Sequence, residues 1–285
     1  MVIRSVFKGV PRYPFYEHCD VSCCYFAGSE LSQKRKCELS LHMNYNAEYP
    51  DIKVLEVSSA SLNSLGAKLS AMHLSKRTKK GVTSVESVYQ SSRIYSDGTR
   101  TVGPFPEYTF LPGKECKKLV KQASLGMNSF QYSFDGMTFY APDHHVSLFY
   151  DYLYLNALLE PENEAVKEEL LSGDYMAFTD LASLSLNTQA RSAAIFRGLV
   201  MAGLIDEVTD YRTYLSLFRT GIDGRAVGPE SYEHSPIFHQ DHMISLLPTV
   251  PCSVNEDGVE AYYSEHCWIL TDRKDNDNFL DLKCE

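Results

Sequence analysis

The stretch VSLFYDYLYLNALLE, residues 146–160, is strongly apolar, carries helix-compatible spacing and stops at Pro161. It predicts a buried central helix, because a proline disfavours helical backbone in the residue before it. Working outward, TQARSAAIFRGLVMAG (188–203) reads as a helix that ends at Gly203, and a shorter helix over about 162–171 opens with Pro161 and acidic residues in its first turn. Upstream, ELSQKRKCELSLHMNY (30–45) and a lysine-rich segment (113–124) read as helices, after a proline-containing lead-in. IKVLEVSS (52–59), an apolar alternation broken by charge, reads as a strand, and SLGAKLSAMHL (64–74) as either a short helix or a loop leading to a strand. Asp135-Gly136 separates two alternating aromatic segments in FQYSFDGMTFYAP, the signature of a hairpin. Few strands among many helices predict an α+β or largely α domain, without a doubly wound alternation and without a dinucleotide-binding glycine fingerprint.

The chain has 285 residues, 44% hydrophobic and 22% charged, which suffices for a sizeable core and argues against extensive disorder. It has no apolar run of the roughly 18 residues that a membrane span needs, and its first residues do not read as a signal peptide. A cytoplasmic protein without membrane attachment is the expectation. The eight cysteines are scattered and read as free thiols. Neither His18 with Cys19, Cys23 and Cys24 nor Asp143 with His144 and His145 has paired zinc-ligand spacing, so no metal or other cofactor is expected.

The net charge of -10 is unevenly placed. Residues 1–205 balance 21 basic against 21 acidic side chains, whereas 206–285 hold 6 against 16. A domain over 1–205 followed by an acidic, partly helical extension or subdomain over 206–285 is the expected organisation. Within the neutral part, bases cluster at Lys34–Lys36, at Lys76, Arg77, Lys79 and Lys80, and along 114–121. Such clusters suit a phosphate-facing surface as well as they suit solvated loops and helix ends.

TSVESVYQSSRIY (83–95) also has helical spacing, and on one helix Glu86, Gln90 and Arg93 would share a face. That face is either the wall of a site, with Glu86 held rigidly for proton transfer, or a capped helix start in which Thr83 and Glu86 form a capping box.

Five ordered segments resemble the NADAR (YbiA-like) family of N-glycosidases, in particular the subfamily associated with DarT-type DNA ADP-ribosyltransferase toxins. They are GSELSQKRKCELSLH (28–42), KVLEVSSASLNSLGAKLSAMHL (53–74), TSVESVYQSSRIY (83–95), SLFYDYLYLNALL (147–159) and YMAFTDLASLSLNTQARSAAIF (175–196). The resemblance implies a mainly helical α+β domain with a small β-sheet, and an antitoxin that removes ADP-ribose from guanine in DNA, with a DarT-type toxin as genetic partner. It also implies a catalytic acid or base at Glu86, and a lysine amine that attacks the anomeric carbon to form a Schiff base. The family's lysine position in the 83–95 helix is Arg93 here, whose guanidinium stays protonated and suits a phosphate better than a nucleophile's role. Lys34 and Lys36 are then the candidate amines, with direct hydrolysis as the alternative. Gln90, Arg93, Asp180, Asn187 and Gln189 are the expected substrate contacts, and Lys76, Arg77, Lys79 and Lys80 the expected contacts to the DNA backbone. Two other functions stay open: cleavage of a ribosylamino-pyrimidine or another soluble nucleotide, and a non-catalytic antitoxin that binds ADP-ribose or nucleic acid.

Overall fold

The computed structural model describes residues 1–28, 30–140, 147–181, 188–210, 213–214 and 217, with the backbone of three strands at 253–254, 259–264 and 267–272. The chain divides into two compact units, one of residues 1–86 and 150–208, the other of 87–149 and 209–285. It is mixed α+β.

The first unit is built on a four-stranded sheet in the order β2-β1-β10-β3. β1 (Val2–Gly9) and β2 (Tyr16–Cys23) form an antiparallel hairpin in full register, from Val2 opposite Cys23 to Gly9 opposite Tyr16. This hairpin occupies the proline-containing lead-in, for which the sequence pattern predicts no element; Pro11 and Pro14 fall in the turn between the strands and not inside them. β3 (Lys53–Glu56) runs parallel to β10 (Tyr175–Thr179), and β10 pairs antiparallel with β1. Because side chains alternate along a strand, Val6 and Ala177 share one face, where they meet Leu41 and Tyr45 of helix α1 (Leu31–Glu48) in a buried cluster. Helix α7 (Gln189–Ala202) packs on β1 and β10. Its ends follow the sequence: the Thr188 side chain accepts from the Ala190 amide, and Gly203 takes the left-handed conformation, φ 70°, that a C-terminal cap requires. Close approach is enforced at Gly198, where an added Cβ would lie 2.0 Å from the Phe15 carbonyl oxygen.

The expected central helix is α5 (Ser147–Leu158). In the first unit its Leu153, Tyr154, Leu155, Ala157 and Leu158 are fully buried, and the Tyr154 hydroxyl donates to the Leu69 carbonyl at 2.7 Å. Asp151, on the same helix, accepts from Arg191 and from Ser192 of α7, each at 2.5 Å, so its buried charge is compensated. The ambiguous 64–74 segment resolves into both alternatives: α2 (Ser64–Lys68), capped by Asn63, and then β4 (Ser75–Thr78), which pairs with β5 (Gly81–Ser84). The short helix after Pro161 is α6 (Glu164–Ser172).

The single helix expected over 83–95 is three elements. Thr83 and Ser84 pair with Lys76 and Ser75 in the β4-β5 hairpin, so Thr83 belongs to a strand. Helix α3 covers only Val85–Ser91, and strand β6 (Arg93–Ser96) starts directly after Ser92. Ile94 and Tyr95 favour extended backbone, and β6 pairs with β8 (Asn128–Phe134), placing Arg93 opposite Tyr132. Arg93 therefore does not share a helix face with Glu86 and Gln90.

The second unit carries a seven-stranded sheet in the order β13-β12-β11-β9-β8-β6-β7. β7 (Thr101–Val102) forms one edge; β9 (Met137–Tyr140) completes the expected Asp-Gly hairpin with β8; β11 (Ser253–Val254), β12 (Val259–Ser264) and β13 (Cys267–Asp272) lie in the acidic segment. Helix α4 (Gly113–Ala123) buries Cys116 and Val120 against Tyr95 and Phe105. Among the described residues no helix is long and apolar enough to cross a membrane, and Cys19, Cys23, Cys24, Cys37 and Cys116 are free thiols.

Candidate active site

One end of the four-stranded sheet opens into a cavity of about 320 Å³. The pairing pattern explains what converges there. β1 runs opposite to its neighbours, so the start of β1 lies beside the ends of β2 and β10, with the end of parallel β3 next in line. Arg4 comes from β1, Cys23 from β2, Glu56 and Ser58 from the end of β3, and Leu181 from beyond β10. The first turns of α1 add Lys34 and Glu38, one turn apart on the same side of that helix.

Glu56 is 1% exposed, yet each of its oxygens is met. The Thr179 hydroxyl donates to Oε2 at 2.6 Å and the Leu181 amide to Oε1 at 3.0 Å. Burial pushes the Glu56 carboxyl above the usual carboxylate range, against the pull of these hydrogen bonds and one from Ser58. Glu38 is held by the Leu62 amide, 2.9 and 3.2 Å from its two oxygens, and so fixes the 58–62 loop whose Ser58, Ser59 and Ala60 line the cavity. Burial raises Glu38 to about 7, with the neighbouring Glu56 carboxyl adding to the shift. Two carboxyls that favour their protons, with an amine on the same cavity, form a set suited to acid-base and nucleophilic chemistry.

Arg4 also faces this cavity, and among the described residues no acceptor reaches its buried Nε. Tyr25 and Phe26, both exposed, stand on its wall. Lys36 lies outside the lining; its Nζ is 5.8 Å from the centre of the Phe26 ring.

Glu86, 7% exposed, is the second residue of α3, and its amide donates to the Ala71 carbonyl at 2.9 Å. Gln189 accepts from the amide of that same Ala71 at 2.7 Å, so the two are joined through one residue in the first unit. Neither lines the cavity. Asp180 is half-buried between Thr179 and Leu181, next to the Glu56 contacts. Asn187, like Asp143, His144 and His145, lies outside the described residues.

In the second unit Gln90 is buried. The Arg93 guanidinium lies over Tyr89 and Tyr95, at 5.5 and 5.0 Å from the ring centres, and Nε donates to Ser129. This is a packed, π-stacked arginine.

The basic cluster at 76–80 divides by burial. Lys76 is 3% exposed and bonded to Glu160 and Asn156, which corrects the expectation of a surface phosphate contact: the strand alternation turns its amine inward. Arg77 is exposed and paired with Glu162. Lys79 and Lys80 are exposed at the turn of the β4-β5 hairpin.

Sequence reasoning misses Glu38, Glu56 and Arg4. The available signals are the Lys34/Glu38 spacing and the glutamate that ends an otherwise apolar strand.

The family model described as DarT1-associated NADAR antitoxin matches residues 2–225. No curated protein matches the chain.

Proposed function

Since this chain belongs to the DarT1-associated NADAR antitoxin family, we propose that its DNA ADP-ribosyl glycohydrolase function is carried out in the first-unit cavity. Lys34 is the attacking amine and Glu56 the acid-base residue. The observation that carries this reading is that the two residues line one cavity, with the carboxyl buried and its affinity for a proton raised.

The chemistry follows from those groups. After giving a proton to solvent, the Lys34 amine attacks the anomeric carbon as the bond to guanine breaks, and protonated Glu56 gives its proton to the departing base. Glu56, now a carboxylate, moves a proton from the new C–N bond to the ring oxygen as the sugar opens to an imine. Water then adds to the imine with Glu56 as base, and collapse returns Lys34 and releases ADP-ribose. Glu38, bound to Leu62, positions the loop that closes the cavity wall. Arg4 is the proposed contact for the diphosphate, because a guanidinium on the cavity wall suits charge-assisted hydrogen bonds to anionic oxygens. Tyr25 or Phe26 offers a ring on which a base can stack.

Glu86, the residue to which the family's motif points, remains a proposed second acid, and Asp180 and Gln189, on the same unit, are proposed substrate contacts. Gln90, Arg93 and Asn187 are kept as proposed substrate contacts, and Lys79 and Lys80 as proposed contacts to the DNA backbone. Residues 1–205 are proposed to hold the catalytic machinery, with 206–285 supporting it. A DarT-type toxin is the proposed genetic partner.

The test is turnover of an oligonucleotide bearing ADP-ribosylated guanine by wild type, Lys34→Ala, Lys36→Ala, Glu56→Gln and Glu86→Gln. Loss in Lys34→Ala and Glu56→Gln, with Lys36→Ala active, supports this assignment. Full activity in Lys34→Ala removes the amine from it.

A further inference from the structure

Glu56 is buried at the floor of the cavity, and behind it lies a hydrogen-bonded line that the proposed reaction does not use. Thr179 Oγ1 is 2.6 Å from Glu56 Oε2, and His42 Nε2 is 2.9 Å from the same Thr179 oxygen. Parallel register sets Thr179 directly beside Glu56, and His42 reaches Thr179 from α1, one turn after Glu38. Thr179 is fully buried, Glu56 nearly so, and His42 is the half-buried end of the line.

A hydroxyl has one hydrogen to donate, and this links the two ends. When Glu56 is a carboxylate, Thr179 donates to it and His42 must carry its hydrogen on Nε2 to donate to Thr179. When Glu56 holds a proton directed at Thr179, the hydroxyl turns to His42, whose Nε2 must then be bare and whose hydrogen sits on Nδ1. Building on the reading of Glu56 above, we infer that Thr179 and His42 form a proton relay to Glu56, in which the tautomer of His42 follows the protonation of that carboxyl.

The balance closes. Nδ1 of His42 takes one proton from solvent, Nε2 passes its hydrogen to the Thr179 oxygen, and the Thr179 hydrogen passes to Glu56. Glu56 gains one proton, and His42 stays neutral in the other tautomer. The reverse sequence exports a proton. Glu56 thereby exchanges protons with solvent while substrate fills the cavity on its other side.

His42 suits this role because burial pushes its imidazole down to about 4, while burial pushes the Glu56 carboxyl above its ordinary value, so the imidazole facing Thr179 is the neutral one. The charged and titratable groups that share the cavity with Glu56 are Lys34, Cys37 and Glu38 from α1, Arg4 from β1, Cys23 from β2, and Cys24 and Tyr25 just after it. His42 and Thr179 are positioning residues in this scheme, since neither meets substrate.

The direct test is nitrogen NMR of the His42 ring in the full-length free protein, with His42→Gln identifying the signal. It is followed alongside the Glu56 side-chain carboxyl carbon in a titration upward from the ordinary carboxylate range. The expected result is that the hydrogen moves from Nε2 to Nδ1 with the same midpoint as Glu56 protonation. Thr179→Val should abolish the link and Thr179→Ser should keep it. One unchanging tautomer through the Glu56 titration, or a link that survives Thr179→Val, overturns the relay; if Thr179→Val does not fold, the wild-type and Thr179→Ser titrations decide. In turnover, the expected signature is a displaced limb of the kcat/KM pH profile in Thr179→Val, restored in Thr179→Ser. A protein with the NMR link but no glycohydrolase activity would leave the relay standing and defeat the catalytic reading instead.

Discussion

Thr179 and Glu56 stand side by side at the ends of two parallel strands, and the threonine hydroxyl donates to the buried carboxylate oxygen at 2.6 Å. These residues are 123 positions apart in sequence. The contact joins two halves of the catalytic proposal: β3 brings the acid, and β10 brings the groups that hold it, including the Leu181 amide. A site on strand ends is held more rigidly than one on loops, which suits a group that must meet a leaving base in one orientation.

Glu56→Gln is expected to lower kcat by about 10²- to 10⁴-fold, the usual contribution of one positioned acid-base group. The amide keeps the size of the carboxyl, and melting curves check that the fold is retained. Glu86→Gln is expected to lose less, because Glu86 lies outside the cavity lining. The reverse order of the two effects would move the acid-base role to Glu86.

Glu38 makes stability depend on pH. Its folded-state value, about 7, lies above the ordinary 4.5, so between those limits the folded protein holds a proton that the unfolded chain has released. The stability contributed by protonated Glu38 is complete below about pH 4.5 and is lost as pH rises toward 7. Urea unfolding of wild type and Glu38→Gln across this window checks the sign: wild type should lose ground against the variant as pH rises, and a constant difference contradicts the assignment. His42 acts in the opposite sense. Lowered from 6.5 to about 4, it contributes stability that is present above pH 6.5 and lost as pH falls toward 4.

The helices are largely legible in the sequence, and the site is not. TQARSAAIFRGLVMAG declares both of its ends through local chemistry, a threonine cap and a left-handed glycine, and the helix falls where those residues put it. Residues 83–95 keep a helical spacing, yet Thr83 and Ser84 are claimed by β4 and Arg93 by β8, partners that local periodicity does not reveal. Glu56 shows in the sequence only as a charge interrupting an apolar strand; its meaning comes from its register with Thr179 and from α1 above it. Lys34 is legible as a candidate amine, while Glu38, one turn further on, looks like any helix-surface charge.

The basic hairpin separates folding from binding. Lys76→Ala removes the cation from the half-buried Glu160 carboxylate, which still accepts from the Arg77 amide, and is expected to cost about 1–3 kcal/mol of stability. Lys79→Ala with Lys80→Ala should leave the melting temperature unchanged and weaken binding to modified DNA. The slope of log affinity against log salt should fall by roughly 0.9 for each phosphate of duplex DNA that the variant no longer neutralises. Fluorescence anisotropy over a salt series measures this, and an unchanged slope removes the hairpin from the DNA-binding surface.

Lys34 is expected to form a covalent imine with the sugar in the Glu56 cavity. Borohydride added during turnover of ADP-ribosylated oligonucleotide should trap a protein–sugar adduct, and peptide mass spectrometry should place it on Lys34. The adduct is expected in wild type and Lys36→Ala and absent from Lys34→Ala. An adduct on Lys36, or full turnover by Lys34→Ala with none trapped, would contradict the account.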